Sequence, residues 1–142
     1  MNAQQRGTGA ILVVEDDALI RESLCDALES EGYEVAMACN GREALALLSV
    51  MPAPSLILLD LMMPVMTGVE FLMAVRRAAV FATIPIVVVS AWPDEAAKMS
   101  DQTQGYLKKP VSLNAVLETI ETFCSARAPA APPAARVESG LR

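Results

Sequence analysis

Asp60 closes the apolar run Ser55-Leu56-Ile57-Leu58-Leu59, so an acid stands where a buried strand should give way to a loop. Two other apolar runs end in polar residues in the same way. Ile11-Leu12-Val13-Val14 leads into Glu15-Asp16-Asp17, and Ile86-Val87-Val88-Val89 leads into Ser90. A fourth segment, Tyr106-Leu107-Lys108, delivers Lys109 directly before Pro110. In a parallel sheet all such strand ends open on one edge, the edge where open α/β folds place their sites. Acids, a hydroxyl and an ammonium then converge. Crowded carboxylates repel one another unless a cation joins them, and hard oxygen ligands suit Mg²⁺ or Mn²⁺. Such a cation shields the acids and draws in a phosphoryl group, which Asp60 can attack in line. Lys109 supplies a second cation for an equatorial oxygen, and the Ser90 hydroxyl a hydrogen bond to another. The expected product is an aspartyl phosphate.

Each of these residues also has a plainer reading. Asp17 reads as a helix cap or solvated loop acid rather than a third ligand. Of Lys108 and Lys109, strand alternation turns only one toward the site, and the junction with Pro110 favours Lys109. Met62, Met63 and Met66 read as packing and loop residues beside a hard-oxygen cluster rather than a soft-metal site. Trp92 either covers the core or faces a partner. Tyr106 has the alternative of being an ordinary half-buried strand residue.

The elements that must position these groups alternate short apolar runs with amphipathic stretches, the pattern of a parallel sheet flanked by helices, in five strand-helix units. Asp17 can cap a first helix whose inner face is Ile20, Leu24, Ala27 and Leu28 and which ends near Gly32. Residues 33–38 read as a second strand. Asn40 and Glu43 then have the spacing of a capping box for a helix through Leu48, stopped by Pro52 and Pro54. Beyond Asp60, Pro64 and Gly68 lead into a helix packing Phe71, Leu72 and Val75, with Arg76 and Arg77 suited to its C-terminal dipole. Pro85 begins the fourth strand. Residues 91–104 lack sustained apolar spacing and predict only a short, mobile helix. Ser112 can cap a last helix that buries Leu113, Val116, Leu117, Ile120 and Phe123.

The 142 residues suit one domain. Its expected bounds are 10–125, after a flexible N-terminus (1–9) and before an Ala/Pro-rich disordered tail or linker (126–142). A net charge of -6 disfavours direct nucleic acid binding. No apolar run reaches the roughly 20 residues that span a bilayer, and no signal peptide is evident, so the expected location is cytoplasmic, away from membranes. Cys25, Cys39 and Cys124 are too scattered for a zinc or redox motif and read as reduced core thiols. The chain contains no histidine. Ser-His-Asp and Cys-His nucleophiles are thereby excluded, and any phosphohistidine must belong to a partner.

Val14-Glu15-Asp16, Asp60 with Met63-Pro64 and Gly68, Ser90-Ala91 and Lys109-Pro110, in this order, resemble the receiver (phosphoacceptor) domain of bacterial two-component response regulators, particularly the single-domain chemotaxis type. The resemblance covers residues 10–125. It implies a five-stranded parallel sheet, doubly wound with five helices and flavodoxin-like, in strand order 2-1-3-4-5. It further implies phosphorylation of Asp60 from a histidine kinase or histidine phosphotransfer protein. Asp16 and Asp60 would ligate Mg²⁺ directly, Glu15 partly through water and Met62 through its backbone carbonyl. Ser90 and Lys109 would sense the phosphoryl group, and Tyr106 would occupy the place of the switch aromatic. The module would alter binding to an unknown downstream protein, as a monomer or a phosphorylation-dependent dimer, and would act as an enzyme only on its own aspartyl phosphate. Glu15 for Asp, Ser90 for Thr, Thr67 for Asp and a shortened segment after Ser90 depart from the commonest pattern. A haloacid-dehalogenase-like phosphatase would need an acid at Met62, and a nucleotide-binding domain a glycine-rich turn where Glu15-Asp16-Asp17 stand. A receiver-like module that only docks and is never phosphorylated is the remaining competitor.

Overall fold

The computed structural model describes residues 10–63 and 65–124; the two predicted terminal segments lie outside the described residues. Strands β1 (Ile11–Val14), β2 (Val35–Ala38), β3 (Leu56–Asp60), β4 (Ile86–Ser90) and β5 (Gly105–Lys108) form one sheet in the order β2-β1-β3-β4-β5. All four pairings are parallel. Helices α1 (Ala18–Ser30), α2 (Gly41–Val50), α3 (Gly68–Arg77), α4 (Pro93–Lys98) and α5 (Leu113–Cys124) complete the five expected units.

Strand periodicity explains the layers. Successive side chains point to opposite faces, and the central strands are apolar on both. Leu12, Val14, Ile57, Leu59, Ile86 and Val88 pack with Ala44 and Leu48 of α2, Phe71, Leu72 and Val75 of α3, and Ala96 of α4. Ile11, Val13, Leu56, Leu58, Val87 and Val89 pack with Leu28 of α1 and Val116, Ile120 and Cys124 of α5. Two helices thus cover one face and three the other.

The caps account for most boundaries. Asp17 accepts the Ile20 N–H (3.1 Å), and Gly32, at φ +95°, ends α1. Tyr33 N–H donates to Leu28 O (3.1 Å) and Gly32 N–H to Glu29 O (3.0 Å), the paired bonds of a Schellman motif. That commitment of Tyr33 to the helix end is why β2 begins at Val35 rather than Tyr33. Asn40 caps α2 by accepting Glu43 N–H (2.8 Å), but the Glu43 carboxylate takes Cys39 N–H (2.7 Å), so the expected box closes one residue upstream of the cap. The full box is at Thr67 and Glu70, whose side chains each accept the other's N–H. Ser112 accepts Ala115 N–H (3.1 Å) at the start of α5.

Four expectations are corrected. Ile20 and Leu113 are not core: they are 37% and 43% exposed. Both sit in first turns, at the sheet edge, and with Leu19 and Val111 flank an open groove of about 430 Å³. The second helix runs on to Val50 before Pro52 stops it. Cys25 and Cys124 are buried, whereas Cys39 is only half-buried, next to the Asn40 cap of α2. Arg76 does more than answer the helix dipole. Its guanidinium donates to Gln102 O (3.0 Å), Ala82 O (2.9 Å), Ile84 O (3.0 Å) and Gln104 Oε1 (3.1 Å), tying the end of α3 to the approaches of β4 and β5. Residues 91–104 hold six-residue α4 and a 3-10 turn, Ser100–Gln102, with Ala96 alone of α4 buried. No helix among the described residues is long and apolar enough to cross a membrane.

Gly68 matters most for the site. Its N–H donates to Leu61 O (3.0 Å), and a Cβ there would strike the Asp60 carbonyl oxygen and lie 2.6 Å from Leu61 Cα. Both are backbone, which cannot swing aside. Gly68→Ala should therefore destabilise the protein by about 2–4 kcal/mol, read as a lower urea midpoint with unchanged slope.

Candidate functional site

Because the strands are parallel, their polar ends meet. Glu15 follows β1, Asp60 and Ser90 are the last residues of β3 and β4, and Lys109 follows β5. Glu15, Asp60 and Ser90 are 3%, 4% and 1% exposed, whereas Asp16 is exposed. One carboxylate oxygen from each of Glu15, Asp16 and Asp60 lies within 4.8 Å of the others. Lys109 Nζ is 3.0 Å from Glu15 Oε1 and 3.6 Å from Asp60 Oδ1. The sheet brings together the carboxylates of Glu15, Asp16 and Asp60 and the ammonium of Lys109, with Ser90 at the end of the strand next to β3.

Backbone donors orient the acids. Asp60 Oδ1 accepts Met62 N–H (3.2 Å), and Glu15 Oε2 accepts Asp17 N–H (3.2 Å). Asp17 itself spends its carboxylate on the helix cap and stands outside the three-acid group. Burial, then the charge of Glu15, pushes the Asp60 carboxyl up to about 7, against the opposing pull of Lys109 and the Met62 N–H. Burial alone would weaken the Lys109 ammonium, but Glu15 and Asp60 outweigh it and raise its pKa. With all three acids ionised, one ammonium leaves the group net negative. The donor set is hard oxygen throughout, and it fits a small divalent cation better than any soft metal.

Ser90 joins the site to its margin. Its Oγ accepts Trp92 N–H (3.0 Å), leaving the hydroxyl proton available. Its carbonyl accepts both Lys109 N–H (3.0 Å) and the Tyr106 hydroxyl (2.9 Å). Tyr106 is 37% exposed, so its ring lies outward while its hydroxyl holds the end of β4. Trp92 is 56% exposed and does not cover the core. Lys108 is exposed. Met63 is buried, and Met66 packs against the Gly41 position, as expected of packing residues. Arg21, four residues into α1, was not anticipated: Nη1 donates to Glu15 O (2.8 Å) and Asp16 O (3.4 Å). A basic residue one turn beyond the acidic loop was the available signal.

A family model for the response regulator receiver domain matches residues 11–121. The chain is 39% identical over 118 residues to the sensor histidine kinase TmoS of Ectopseudomonas mendocina, covering 81% of this chain and 12% of that protein. It spans half the length or less of several curated relatives that it matches. The structure of Vibrio cholerae chemotaxis protein CheY4 aligns with a TM-score of 0.75 at 33% identity, covering 81% of this chain and 98% of that one. Thermotoga maritima response regulator TrrA, solved in complex with Mg(2+)-BeF, aligns at 0.71 and 30% identity, covering 80% and 97%. With a matched family model over nearly all of the described fold, the chain belongs to the response regulator receiver domains, the phosphorylation-dependent signalling switches of two-component systems.

Proposed function

We propose that Asp60 is the phosphoacceptor of this receiver, charged from a phosphohistidine on a histidine kinase or phosphotransfer protein. The observation that carries the reading is the juxtaposition of a buried strand-end carboxylate with two further carboxylates and with Lys109. Glu15, Asp16, Asp60 and the Met62 backbone carbonyl would hold Mg²⁺ or Mn²⁺. When bound, that ion neutralises carboxylate and phosphoryl charge. An Asp60 oxygen attacks phosphorus, the phosphorus–nitrogen bond to the donor imidazole breaks, and an acyl phosphate results. Lys109, already between the two buried acids, exchanges part of that contact for a phosphoryl oxygen, and Ser90 donates its uncommitted hydroxyl proton to another.

The two donors on the Ser90 carbonyl give the switch a route outward. Movement of Ser90 toward a phosphoryl group disturbs the bond that holds Tyr106, shifting the populations of the outer face. That face, including the short α4, would then bind or release a downstream protein in the cytoplasm, as a monomer or a phosphorylation-dependent dimer. The working unit in this reading is 10–125, and its only chemistry is gain and loss of its own phosphoryl group. Likeness to TmoS and TrrA supports a place in histidine-to-aspartate signalling with a divalent cation.

Incubation with acetyl phosphate and Mg²⁺ should add one phosphate at Asp60 by intact mass and site mapping, and none to Asp60→Asn. No phosphate on the parent would return the chain to the docking-only reading, and a phosphate on the variant would remove Asp60 as the acceptor. Mg²⁺ at a hundredfold excess over Kd should stabilise the parent by roughly 3 kcal/mol, with a smaller shift in Asp16→Ala; equal thermal shifts would remove Asp16 from the metal site. Without metal, folded Asp60 keeps a proton up to about 7 that the unfolded chain releases near 4. Stability from this group must therefore fall as pH rises between those values. Urea midpoints in EDTA should show that decline in the parent and lose it in Asp60→Asn.

A further inference from the structure

We infer that Arg21 is a positioning residue for the acidic pair, setting the affinity of the site for its cation through the main chain; the inference rests on the metal-binding reading above. Strand pairing of β1 ends at Val14. The Glu15 N–H still finds Ala38 O (3.0 Å), but the carbonyls of Glu15 and Asp16 lie past the ladder. Arg21 Nη1 takes both, the first firmly at 2.8 Å and the second weakly at 3.4 Å. The side chain is half-buried, and its own backbone N–H is anchored to Asp17 O (2.9 Å) in the first turn of α1. The helix that Asp17 caps therefore reaches back and fixes the peptides from which Glu15 and Asp16 project.

What Arg21 leaves alone is equally informative. Among the described residues it forms no ion pair within 4.0 Å, although three carboxylates are grouped at the end of the loop it grips. A guanidinium on those oxygens would compete with a metal for its ligands. Placed on the carbonyls, it orients the acids and leaves the oxygens available. Two effects on a cation then oppose each other. Fixed ligands favour binding, because less freedom is lost when the ion arrives. A nearby positive charge disfavours it. Hydrogen bonds to the peptide groups of two successive ligands act directly on ligand geometry, whereas the guanidinium charge is already engaged with carbonyl dipoles and partly open to solvent. Orientation should dominate.

The sign of the effect is the test. Mg²⁺ titrations followed by Trp92 fluorescence, with urea melts in EDTA, would compare the parent, Arg21→Lys and Arg21→Ala. Arg21→Ala should bind Mg²⁺ about tenfold more weakly, and Arg21→Lys, which keeps the charge and one donor group, should fall between it and the parent. A role confined to folding would lower the EDTA midpoint and leave Kd untouched, and a role as a mere repelling charge would tighten binding in Arg21→Ala; either result overturns the inference. If Arg21→Ala does not fold, Arg21→Lys decides: weaker binding than the parent supports it, equal binding overturns it. Failure of the parent to bind Mg²⁺ would instead sink the metal-site reading itself, and this inference with it.

Discussion

Two carboxylates, Glu15 and Asp60, are buried side by side and share one ammonium. Taking such charges out of water is costly unless they are paired and hydrogen-bonded, and the raised Asp60 pKa records how incompletely Lys109 offsets that cost. The rest of the architecture maintains this arrangement. β1 and β3 are adjacent, so Glu15 and Asp60 stand at neighbouring strand ends. Lys109 comes from beyond β5, with β4 in between. At roughly 4.8 Å per strand step, only a long side chain can cross the end of β4 and reach both acids, which is a geometric reason for lysine at this position.

The acids are also fastened from behind. Gly68 lets α3 start directly against the Asp60–Leu61 backbone, where any side chain would intrude. The Thr67–Glu70 box fixes that helix start, and Arg21 does the same for the Glu15–Asp16 peptides. On the outer side, the Ser90 carbonyl is shared by the Lys109 N–H and the Tyr106 hydroxyl. At the opposite edge, Arg76 gathers acceptors from Ala82, Ile84, Gln102 and Gln104. The short α4 segment is thus held near both ends, by Ser90 before it and by Arg76 after it.

Much of this was legible in the chain. Apolar runs ending in Glu15-Asp16, Asp60, Ser90 and Lys109 predict both the strands and their polar edge, because a parallel sheet aligns its C-terminal ends whatever the details of packing. Caps at Asp17, Asn40 and Ser112 were equally plain, since they depend on local backbone donors. Errors arose where a residue's neighbours come from elsewhere. Ile20 and Leu113 have helical spacing, yet they lie in first turns beyond the reach of the sheet. Glu43 has capping-box spacing but serves Cys39, one residue before the cap.

The sequence by itself determined the alternation of strands and helices, the groups available for chemistry and, by lacking histidine, the absence of histidine nucleophiles from these residues. These follow from periodicity and residue type, which are local properties. Only the tertiary structure decided that Lys109 rests on Glu15 and Asp60, that the Tyr106 hydroxyl holds Ser90, that Arg21 turns back onto the Glu15 and Asp16 carbonyls, and that Arg76 reaches acceptors as far along the chain as Gln102 and Gln104. Those partners are set by strand order and by where each ladder stops, and no spacing along the chain encodes which unpaired carbonyl a long cationic side chain will reach.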